Sequence, residues 1–586
     1  MIRKNMAPFI LLFFTLAACQ QPTGSTSQNP TVTDLSVTVT PDTLTDCQLN
    51  NTVSLSIIAA FSDGTTKNVS TTATIIVDEK WTKSIYKLTA IKEGSGTITV
   101  SYGGKSKDMP YKIVEHYESL KLYDTANTEI TNINATIGDD LQFVAKLTRK
   151  AEFGGGVTEI TANDGLIVSG NAFFYEERPI KDSYGTISGY ENWLHVVDGS
   201  NDTNLSLSYK SQSVSISVTI PTYVFSSRRL IPEETLKKKA ISYSGYRSGQ
   251  SPENKTYPSE EDIKEDLTIL KENGFGFLRL YDTSEHAYKT LKVIKDNNFP
   301  FKVQLGIWIA GSNDSSGTVN WDQIMRALDL ITNYNDIIVS ISVGNECMVD
   351  WNTWASAPPE DIRKYIQYAR SNVLVPVTTD DNWKTFAAHD IKNDDGETGI
   401  LVNGSLIINS KTGKPYDTEQ VAQVADYLAI HTYPIADSPY NIWDWKQEAI
   451  PAGPERGRAM MNLAIRVAKK QYQAVRDHIS NDLGLTDVPV IIGETGWKHM
   501  DTNNWTGRSH PVNAKIYYEG MNDWVYGSGG TELDTISPWV CFYFEAFNEP
   551  WKKGDDGWGL WDKDRNPTYT ISGEGYTDDD INYYGK

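Results

Sequence analysis

The apolar positions of the chain change their spacing part-way along, and the change separates two kinds of fold. From residue 32 to about residue 225, short runs such as 35–39 and 53–57 alternate apolar with polar residues. Such alternation, with turns between the runs, is typical of antiparallel β-sandwiches. From residue 238 onward, continuous apolar runs alternate with stretches of helical spacing, which predicts parallel strands that are buried on both faces.

These patterns predict a multidomain chain with two all-β sandwiches, at 32–115 and 116–225, followed by a (β/α)₈ barrel at 238–586. The second sandwich looks like a diverged repeat of the first. Eight apolar strands are predicted, at 240–243, 275–281, 301–309, 337–346, 375–379, 427–431, 488–494 and 539–545. An open doubly wound sheet could also hold eight strands, but no glycine-rich phosphate loop follows the first one. Residues 390–417 and 435–454 are expected to be insertions on the ligand face.

Two of the predicted strands end in a glutamate. Strand 337–346 ends in the letters GNE, of which Glu346 is the last, and Glu494 ends strand 488–494 before the letters TGW. The carboxyl ends of barrel strands form the mouth of the active site. Two carboxyls about 5–5.5 Å apart are what a retaining glycosidase needs, with Glu346 as acid/base and Glu494 as nucleophile. Burial and the charge on Glu494 are expected to keep Glu346 protonated.

Polar side chains at the ends of two other strands are candidates for supporting this pair. Arg279 ends the second strand together with Tyr281 and Asp282, and it would hold Glu494 ionised or form an ordinary ion pair. His431 and Tyr433 end the sixth strand, where His431 is either a substrate-binding residue or a core histidine.

Further candidates for sugar binding lie close to the same strand ends. Asn345 is suited to bond the 2-hydroxyl of the substrate. Flat aromatic rings grip neutral sugars, and the tryptophans that could stack on them are Trp497, Trp539 and Trp551. Glu545 and Glu549 follow the last strand and are either substrate-binding and supporting groups or purely structural ones.

The charge and the cysteines of the chain narrow the choice of partner and of chemistry. The net charge of −21 over 586 residues disfavours nucleic acid and anionic surfaces and suits a neutral polymer. After Cys19 the cysteines are Cys47, Cys347 and Cys541, which are too few and too far apart for a disulfide framework. Cys347 is expected to be a buried thiol rather than a second nucleophile. No Cys/His cluster has zinc spacing, so no metal and no cofactor are expected.

The amino terminus carries a secretion signal. A short positive region is followed by an apolar run at 9–16 that is too short to span a membrane, and then by the letters LAAC, which end at Cys19. This ending resembles a bacterial lipobox, which implies a signal peptide at 1–19, lipidation of Cys19 and a flexible tether at 20–31. Gln20 favours the outer membrane, on either its periplasmic or its outer face. The alternative is an ordinary cleaved signal with an incidental cysteine.

The first sandwich also resembles a known module. The stretches FSDGTTKNV at 61–69 and AIKEGSGTI at 90–98 are similar to bacterial Ig-like domains of group 2. Such domains act as spacers and, in some proteins, as adhesive or sugar-binding units. The resemblance implies a spacer here, because the region has no cluster of exposed aromatic residues.

The barrel resembles glycoside hydrolase family 17, a family of retaining enzymes in clan A. The resemblance covers residues 238–565 and rests on four motifs: RLYD at 279–282, GNE at 344–346, ETGW at 494–497 and YFEAFNEPWK at 543–552. It implies hydrolysis of β-1,3-glucan, with the same roles for Glu346 and Glu494. Lys498 and Asn548 depart from residues common in the family.

Together these features predict a monomeric, lipid-anchored β-1,3-glucanase that cuts within the polymer. Two alternatives stay open from the sequence. One is a surface glycan-binding protein whose barrel no longer catalyses, and the other is a β-1,3-glucan transglycosylase.

Overall fold

The computed structural model describes residues 29–586, except 42–43, 171, 182–185, 200–203, 312–313, 315–318, 354, 395–397, 502–506 and 528–536. The predicted signal with Cys19, and most of the tether, lie outside the described residues. Among the described residues, no helix combines the length and the apolar character that crossing a bilayer requires.

The chain forms two compact units. The first contains the residues up to Leu120 together with Leu147–Thr158 and Ser208–Ser213. The second contains Lys121–Lys146, Glu159–Leu207 and Val214–Lys586.

The first unit holds two β-sheets around one apolar core. One sheet contains the strands Val32–Thr40, Thr52–Phe61, Thr66–Asn68, Trp81–Ser84 and Lys87–Ala90. The other contains Cys47–Gln48, Thr74–Ile76, Gly94–Tyr102 and Lys105–Val114. Alternate residues of each long strand point into the core, among them Leu55 from the first sheet and Ile98 from the second. This alternation is the one that the sequence shows.

The region predicted as a second sandwich also forms two sheets. The first comprises the strands Tyr117–Tyr123, Asp140–Arg149, Val157–Ile160, Phe173–Lys181 and Ile187–Val196. The second comprises Asn132–Asn134, Ile167–Ser169, Asn204–Tyr209 and Gln212–Thr219.

The rest of the second unit is built on a closed barrel of eight parallel strands, which confirms the barrel and excludes the open doubly wound sheet. The strands are Lys239–Ser242, Phe275–Leu280, Lys302–Ile307, Ile338–Asn345, Val377–Asn382, Leu428–Thr432, Val490–Thr495 and Cys541–Tyr543. They are called the first to the eighth strand below. The eighth strand closes the barrel by pairing with the first, with Ala240 opposite Phe542.

Helices connect and cover the barrel strands. The longer ones are Glu260–Glu272, Glu285–Asp296, Val319–Asn333, Pro359–Asn372, Glu419–Val424, Pro454–Asp477 and Pro511–Tyr526. One-turn α-helices lie at Glu233–Leu236, Trp383–Phe386, Pro434–Asp437 and Tyr569–Ser572. Single 3₁₀ turns lie at Leu44–Asp46, Ala151–Phe153, Ala162–Asp164, Ser438–Tyr440, Pro550–Lys552 and Asp578–Asp580, and a π turn at His478–Asp482.

The fifth strand runs farther than its sequence predicts. The expected strand at 375–379 stops before Asp380 and Asp381, because carboxylates interrupt the apolar run. The observed strand includes both residues, and both are fully buried. Each carboxylate has partners that make its burial tolerable, and these partners belong to the candidate site.

Candidate active site

Glu346 stands just beyond the fourth strand, on a tight left-handed turn. Gly344 has φ 85° and Glu346 has φ 46°. A Cβ on Gly344 would lie 2.6 Å from the Cys347 sulfur, so only glycine fits this position. The Glu346 amide donates to the backbone oxygen of Asp380 at 3.0 Å, and Asn352 Nδ2 donates to the Glu346 carbonyl at 2.8 Å. A left-handed non-glycine residue held by its surroundings is a common feature of active sites.

Glu494 lies within the seventh strand, across the barrel mouth from Glu346. His431 Nδ1 is 3.0 Å from Glu346 Oε1 and 3.6 Å from Glu494 Oε2. The sum of these two distances, 6.6 Å, is therefore the upper limit of the separation between these two carboxylate oxygens. Retaining glycosidases hold their carboxyls about 5–5.5 Å apart and inverting ones about 6.5–9.5 Å apart. The limit excludes nearly all of the inverting range for this oxygen pair.

Three donors hold Glu494 as a carboxylate. Arg279 pairs with Oε1, Tyr281 donates its hydroxyl to Oε1 at 3.1 Å, and Tyr433 donates to Oε2 at 2.8 Å. Burial raises the pKa of Glu494, but the charges on His431 and Arg279 and the hydrogen bonds outweigh it, so the pKa ends below its ordinary value. An ionised carboxylate at this place has the protonation state that a nucleophile needs.

His431 is a fully buried cation between three carboxyl groups. Its Nε2 faces Asp380 Oδ1 at 3.4 Å, while its Nδ1 faces the two glutamates. Burial lowers the pKa of His431, but the charge on Glu494 and the bonds to Asp380 and Glu346 raise it to about 10. At neutral pH both ring nitrogens therefore carry protons and donate.

Asp380 connects His431 to Arg279, the arginine that holds Glu494. Its carboxylate lies 3.2 Å from Arg279 Nε and accepts from Gln304 Nε2 at 2.8 Å. Arg279 in turn donates to Asn345 Oδ1 at 2.6 Å, and the negative groups around it raise its pKa despite its burial. The side-chain amide of Asn345, the residue before Glu346, is thereby fixed.

Glu346 is less buried than the sequence predicts. Its side chain is 31% exposed, whereas that of Glu494 is 8% exposed and that of His431 is fully buried. The expected proton on Glu346 stays a prediction.

Asp381 supports the turn after Glu346 and was not anticipated. Its carboxylate accepts the backbone N–H groups of Met348 and Asn382, both at 2.8 Å. Burial raises the pKa of Asp381 to about 7, and the neighbouring Glu346 adds to the rise. The two consecutive aspartates at the end of an apolar run were the signal that could have identified this pair.

Glu545 and Glu549 are buried and share one lysine, Lys552, whose side chain is 14% exposed. The Lys552 ammonium pairs with Glu545 and lies 2.6 Å from Glu549 Oε2, and Ser244 donates to Glu549 Oε1 at 2.6 Å. Burial raises the pKa of Glu545 well above its ordinary value. Burial acts in the same direction on Glu549, but Lys552 and the hydrogen bonds leave the pKa of that carboxyl lowered.

Asp282 and two of the tryptophans do not have the expected places. Asp282 accepts from the amide and the hydroxyl of Ser284 at 2.9 and 2.6 Å, a local turn contact rather than a contact to Glu494. Trp497 is fully buried, where its indole donates to the Arg508 carbonyl at 3.0 Å, so its face is closed to sugar. Trp539 is exposed but precedes the eighth strand, at the end of the barrel opposite the mouth.

Trp551 is the predicted tryptophan that stays partly exposed on the mouth side. It packs edge-on against Tyr246 with ring centroids 6.2 Å apart.

Within the part of the chain that the structure describes, no group of three His, Cys, Asp or Glu side chains could hold a metal ion. Cys47, Cys347 and Cys541 are unpaired and buried. Cys347 is fully buried, as expected, and burial raises the pKa of its thiol well above its ordinary value, which disfavours the thiolate.

Comparison with known proteins adds relatives for part of the chain. No family model matches the sequence. A glucan 1,3-beta-glucosidase of Arthroderma benhamiae is 24% identical over 323 residues, which are 53% of this chain and 84% of that protein. Glucan endo-1,3-beta-glucosidase 14 of Arabidopsis thaliana is 29% identical over 27% of this chain, and glucan endo-1,3-beta-glucosidase btgC of Emericella nidulans is 22% identical over 54%. The chain spans 42% and 43% of the lengths of these two relatives.

These relatives support a glycosidase. They also indicate a barrel of the β-1,3-glucanase type. Among solved structures, an endo-laminarinase from Formosa Hel1_33_131 is 26% identical, with a TM-score of 0.48, over 60% of this chain and 90% of that one. A family 17 β-1,3-glucanosyltransferase from Rhizomucor miehei is 19% identical, with a TM-score of 0.37, over 58% and 98%.

Proposed function

We propose that the barrel hydrolyses β-1,3-glucan with retention of configuration, cutting within the chain. The observation that carries the proposal is the position of His431, which contacts both Glu346 and Glu494 and limits their oxygen separation to 6.6 Å. The substrate class rests on the names of the sequence relatives, which are 1,3-β-glucosidases.

The residues of the site fit the two steps of this reaction. In the first step a Glu494 oxygen forms a bond to the anomeric carbon. The bond from that carbon to the leaving oxygen breaks, and Glu346 gives its proton to that oxygen. In the second step Glu346 takes a proton from water, whose oxygen displaces Glu494 from the sugar. Tyr433 and Arg279 hold the Glu494 oxygens in place for both steps.

The total charge of the Glu346 and Glu494 side chains does not change during the first step. Glu346 becomes a carboxylate as Glu494 becomes an uncharged ester, so the summed charge of the two side chains is the same before and after. His431 lies against both and stabilises whichever carboxylate is charged. Fixed donors that meet the developing charge lower the barrier without reorganisation.

The test is the release of reducing ends from laminarin by the purified protein. Wild type is expected to release them, and Glu494→Gln and Glu346→Gln are expected to lose at least about a thousandfold in kcat, as for other residues that act only in the chemical step. Glu455→Gln is a matched control because that side chain is 82% exposed. Binding of laminarin without product would overturn the proposal in favour of a glycan-binding barrel. Products longer than the donor would assign transglycosylation instead.

We also propose the domain order and the location that the sequence predicts. Two Ig-like sandwiches at 32–115 and 116–225 would form a spacer between the catalytic barrel at 238–586 and a lipid at Cys19 in the bacterial outer membrane. Incorporation of radiolabelled palmitate into the expressed protein, and its loss in Cys19→Ser, tests the anchor. Secretion without label in the wild type would contradict it.

A further inference from the structure

We infer that Trp351 is the stacking platform for the glucose unit on the leaving-group side of the bond that is cut. The inference rests on the proposed function, and it assigns a binding subsite to a residue that the sequence motifs do not include. Its basis is the exposure of the indole, its place on the acid/base loop and the way that loop is fixed.

Trp351 is a half-exposed indole five residues after the acid/base. It is 50% exposed, whereas Trp383, Trp443 and Trp497 in the same unit are fully buried. It lies on the loop that leaves the fourth strand, at the carboxyl end where the barrel mouth opens. An indole kept in water at this place has an apolar face available to a ligand.

The loop is fixed from the barrel side by hydrogen bonds around Trp351. Asn352 Nδ2 donates to the Glu346 carbonyl at 2.8 Å, and the Ala355 amide donates to Asn352 Oδ1 at 2.8 Å. The Ala357 amide donates to the Cys347 carbonyl at 2.8 Å and closes the loop. The residue after Trp351 is therefore attached directly to the backbone of the acid/base.

The insertion predicted at 390–417 fixes the same loop from the other side. The Ser410 amide donates to Asp350 Oδ2 at 2.7 Å, and the Asp350 amide donates to the Tyr416 hydroxyl at 3.3 Å. Lys411 Nζ donates to the Asn352 carbonyl at 2.6 Å. Hydrogen bonds to the insertion thus hold Asp350 and Asn352, the residues on either side of Trp351. Because the loop backbone is already ordered, a ligand that binds here loses little free energy to ordering the loop.

The place of the loop identifies which sugar would cover the indole. Glu346 gives its proton to the leaving oxygen, so the loop that extends from Glu346 faces the glucose that departs. The Asp350 carboxylate and the Asn352 side chain make hydrogen bonds within the protein, and the exposed indole between these two residues is a flat apolar surface. The C–H face of a neutral pyranose matches such a surface.

The test compares two substrates that differ only on the leaving-group side. Laminarihexaose has glucose units there, and β-laminaribiosyl fluoride has only a fluoride, which offers no ring to the indole. Trp351→Ala is expected to lower kcat/KM on laminarihexaose about three- to tenfold, the range for one aromatic contact, and to leave the fluoride substrate unchanged. Trp351→Phe is expected to recover most of the loss.

Trp539→Ala is the matched control, because Trp539 is 44% exposed at the opposite end of the barrel. It is expected to change neither substrate. Equal rates of wild type and Trp351→Ala on laminarihexaose would overturn the inference while the proposed function stands. An equal loss on both substrates would assign Trp351 a structural role and overturn it as well. If the wild type cleaves neither substrate, the proposed function fails, and the inference fails with it.

Discussion

His431 Nδ1 lies 3.0 Å from Oε1 of Glu346. The same nitrogen also faces Glu494, so one buried imidazole contacts both glutamates. The proton on His431 therefore affects the two carboxyls together, and the measurable consequences of the site follow from that shared contact.

The first prediction concerns stability against pH. Folding raises the pKa of His431 from its ordinary 6.5 to about 10, so the folded state keeps a proton that the unfolded chain loses. The stabilisation from this proton is complete below about pH 6.5 and is lost as the pH rises through about 10. Guanidinium unfolding of wild type at a series of pH values should show the free energy of unfolding falling across this window.

His431→Gln is the comparison for that measurement. The variant lacks the proton, so its decline between pH 7 and 10 should be shallower than that of wild type. The pKa of Asp381 is raised to about 7, so the stability that is lost when Asp381 ionises is lost below about pH 7. This loss does not overlap with the window between pH 7 and 10. Parallel curves for the two proteins would show that His431 is neutral in the folded state.

The second prediction concerns Asp380, which contacts both Arg279 and His431. Asp380→Asn keeps the shape but removes the charge, which weakens charged hydrogen bonds of about 1.5–3 kcal/mol. A loss of this size corresponds to about 10- to 100-fold in kcat/KM. The stability window assigned to His431 should also move to lower pH, because Asp380 helps to raise the pKa of His431.

Asp564→Asn is the control for Asp380, since its side chain is 63% exposed and pairs only with an exposed lysine. It should leave kcat/KM unchanged. If Asp380→Asn has wild-type kinetics and its stability falls over the same pH range as that of wild type, Asp380 does not support His431 or Arg279 in the reaction.

The barrel and its two glutamates were predictable because their signals are local. Apolar runs mark strands that are buried on both faces, and a glutamate that ends such a run stands out. The support around them was not predictable in the same way. Asp380 and Asp381 looked like the end of a strand, because the sequence does not show that Arg279, Gln304 and His431 converge on Asp380 from other strands.

The tryptophans show the same limit. Trp497 follows Glu494 closely in sequence, but its side chain turns into the core and contacts Arg508. Trp351 belongs to no motif and is 50% exposed, and its neighbour Asp350 accepts from Ser410 of the insertion, 60 residues later in the chain. Tertiary contacts decide which face of an aromatic side chain stays exposed to solvent, and a single sequence does not show these contacts.

The third prediction tests the turn that presents Glu346. Gly344→Ala would place a Cβ 2.6 Å from the Cys347 sulfur at a positive φ, and it should destabilise the protein by about 2–4 kcal/mol. Gly249 has φ 82°, and a Cβ on it would have no other atom within 4 Å, so Gly249→Ala reports the backbone strain alone. Equal unfolding free energies for the two variants would show that the Cys347 contact costs nothing.

The fourth prediction concerns Lys552, the lysine that pairs with the buried side chains of Glu545 and Glu549. Lys552→Met leaves two buried carboxyls without their cation, and it should cost about 3–5 kcal/mol of unfolding free energy. Lys563→Met, in an exposed pair with Asp564, should cost less than about 1 kcal/mol. A loss below about 1 kcal/mol for Lys552→Met, measured by guanidinium unfolding, would show that the carboxyls do not depend on this lysine.

Double displacement requires that Glu346 and Glu494 act from opposite sides of one sugar, and the anomeric configuration of the first product reports whether they do. Proton NMR during the first minutes of laminarihexaose cleavage distinguishes the β-anomer of the new reducing end from the α-anomer before they interconvert. The β-anomer is expected to appear first, and the α-anomer to follow by mutarotation. An α-anomer that appears first would mean direct displacement by water, and would contradict the role of Glu494 as nucleophile.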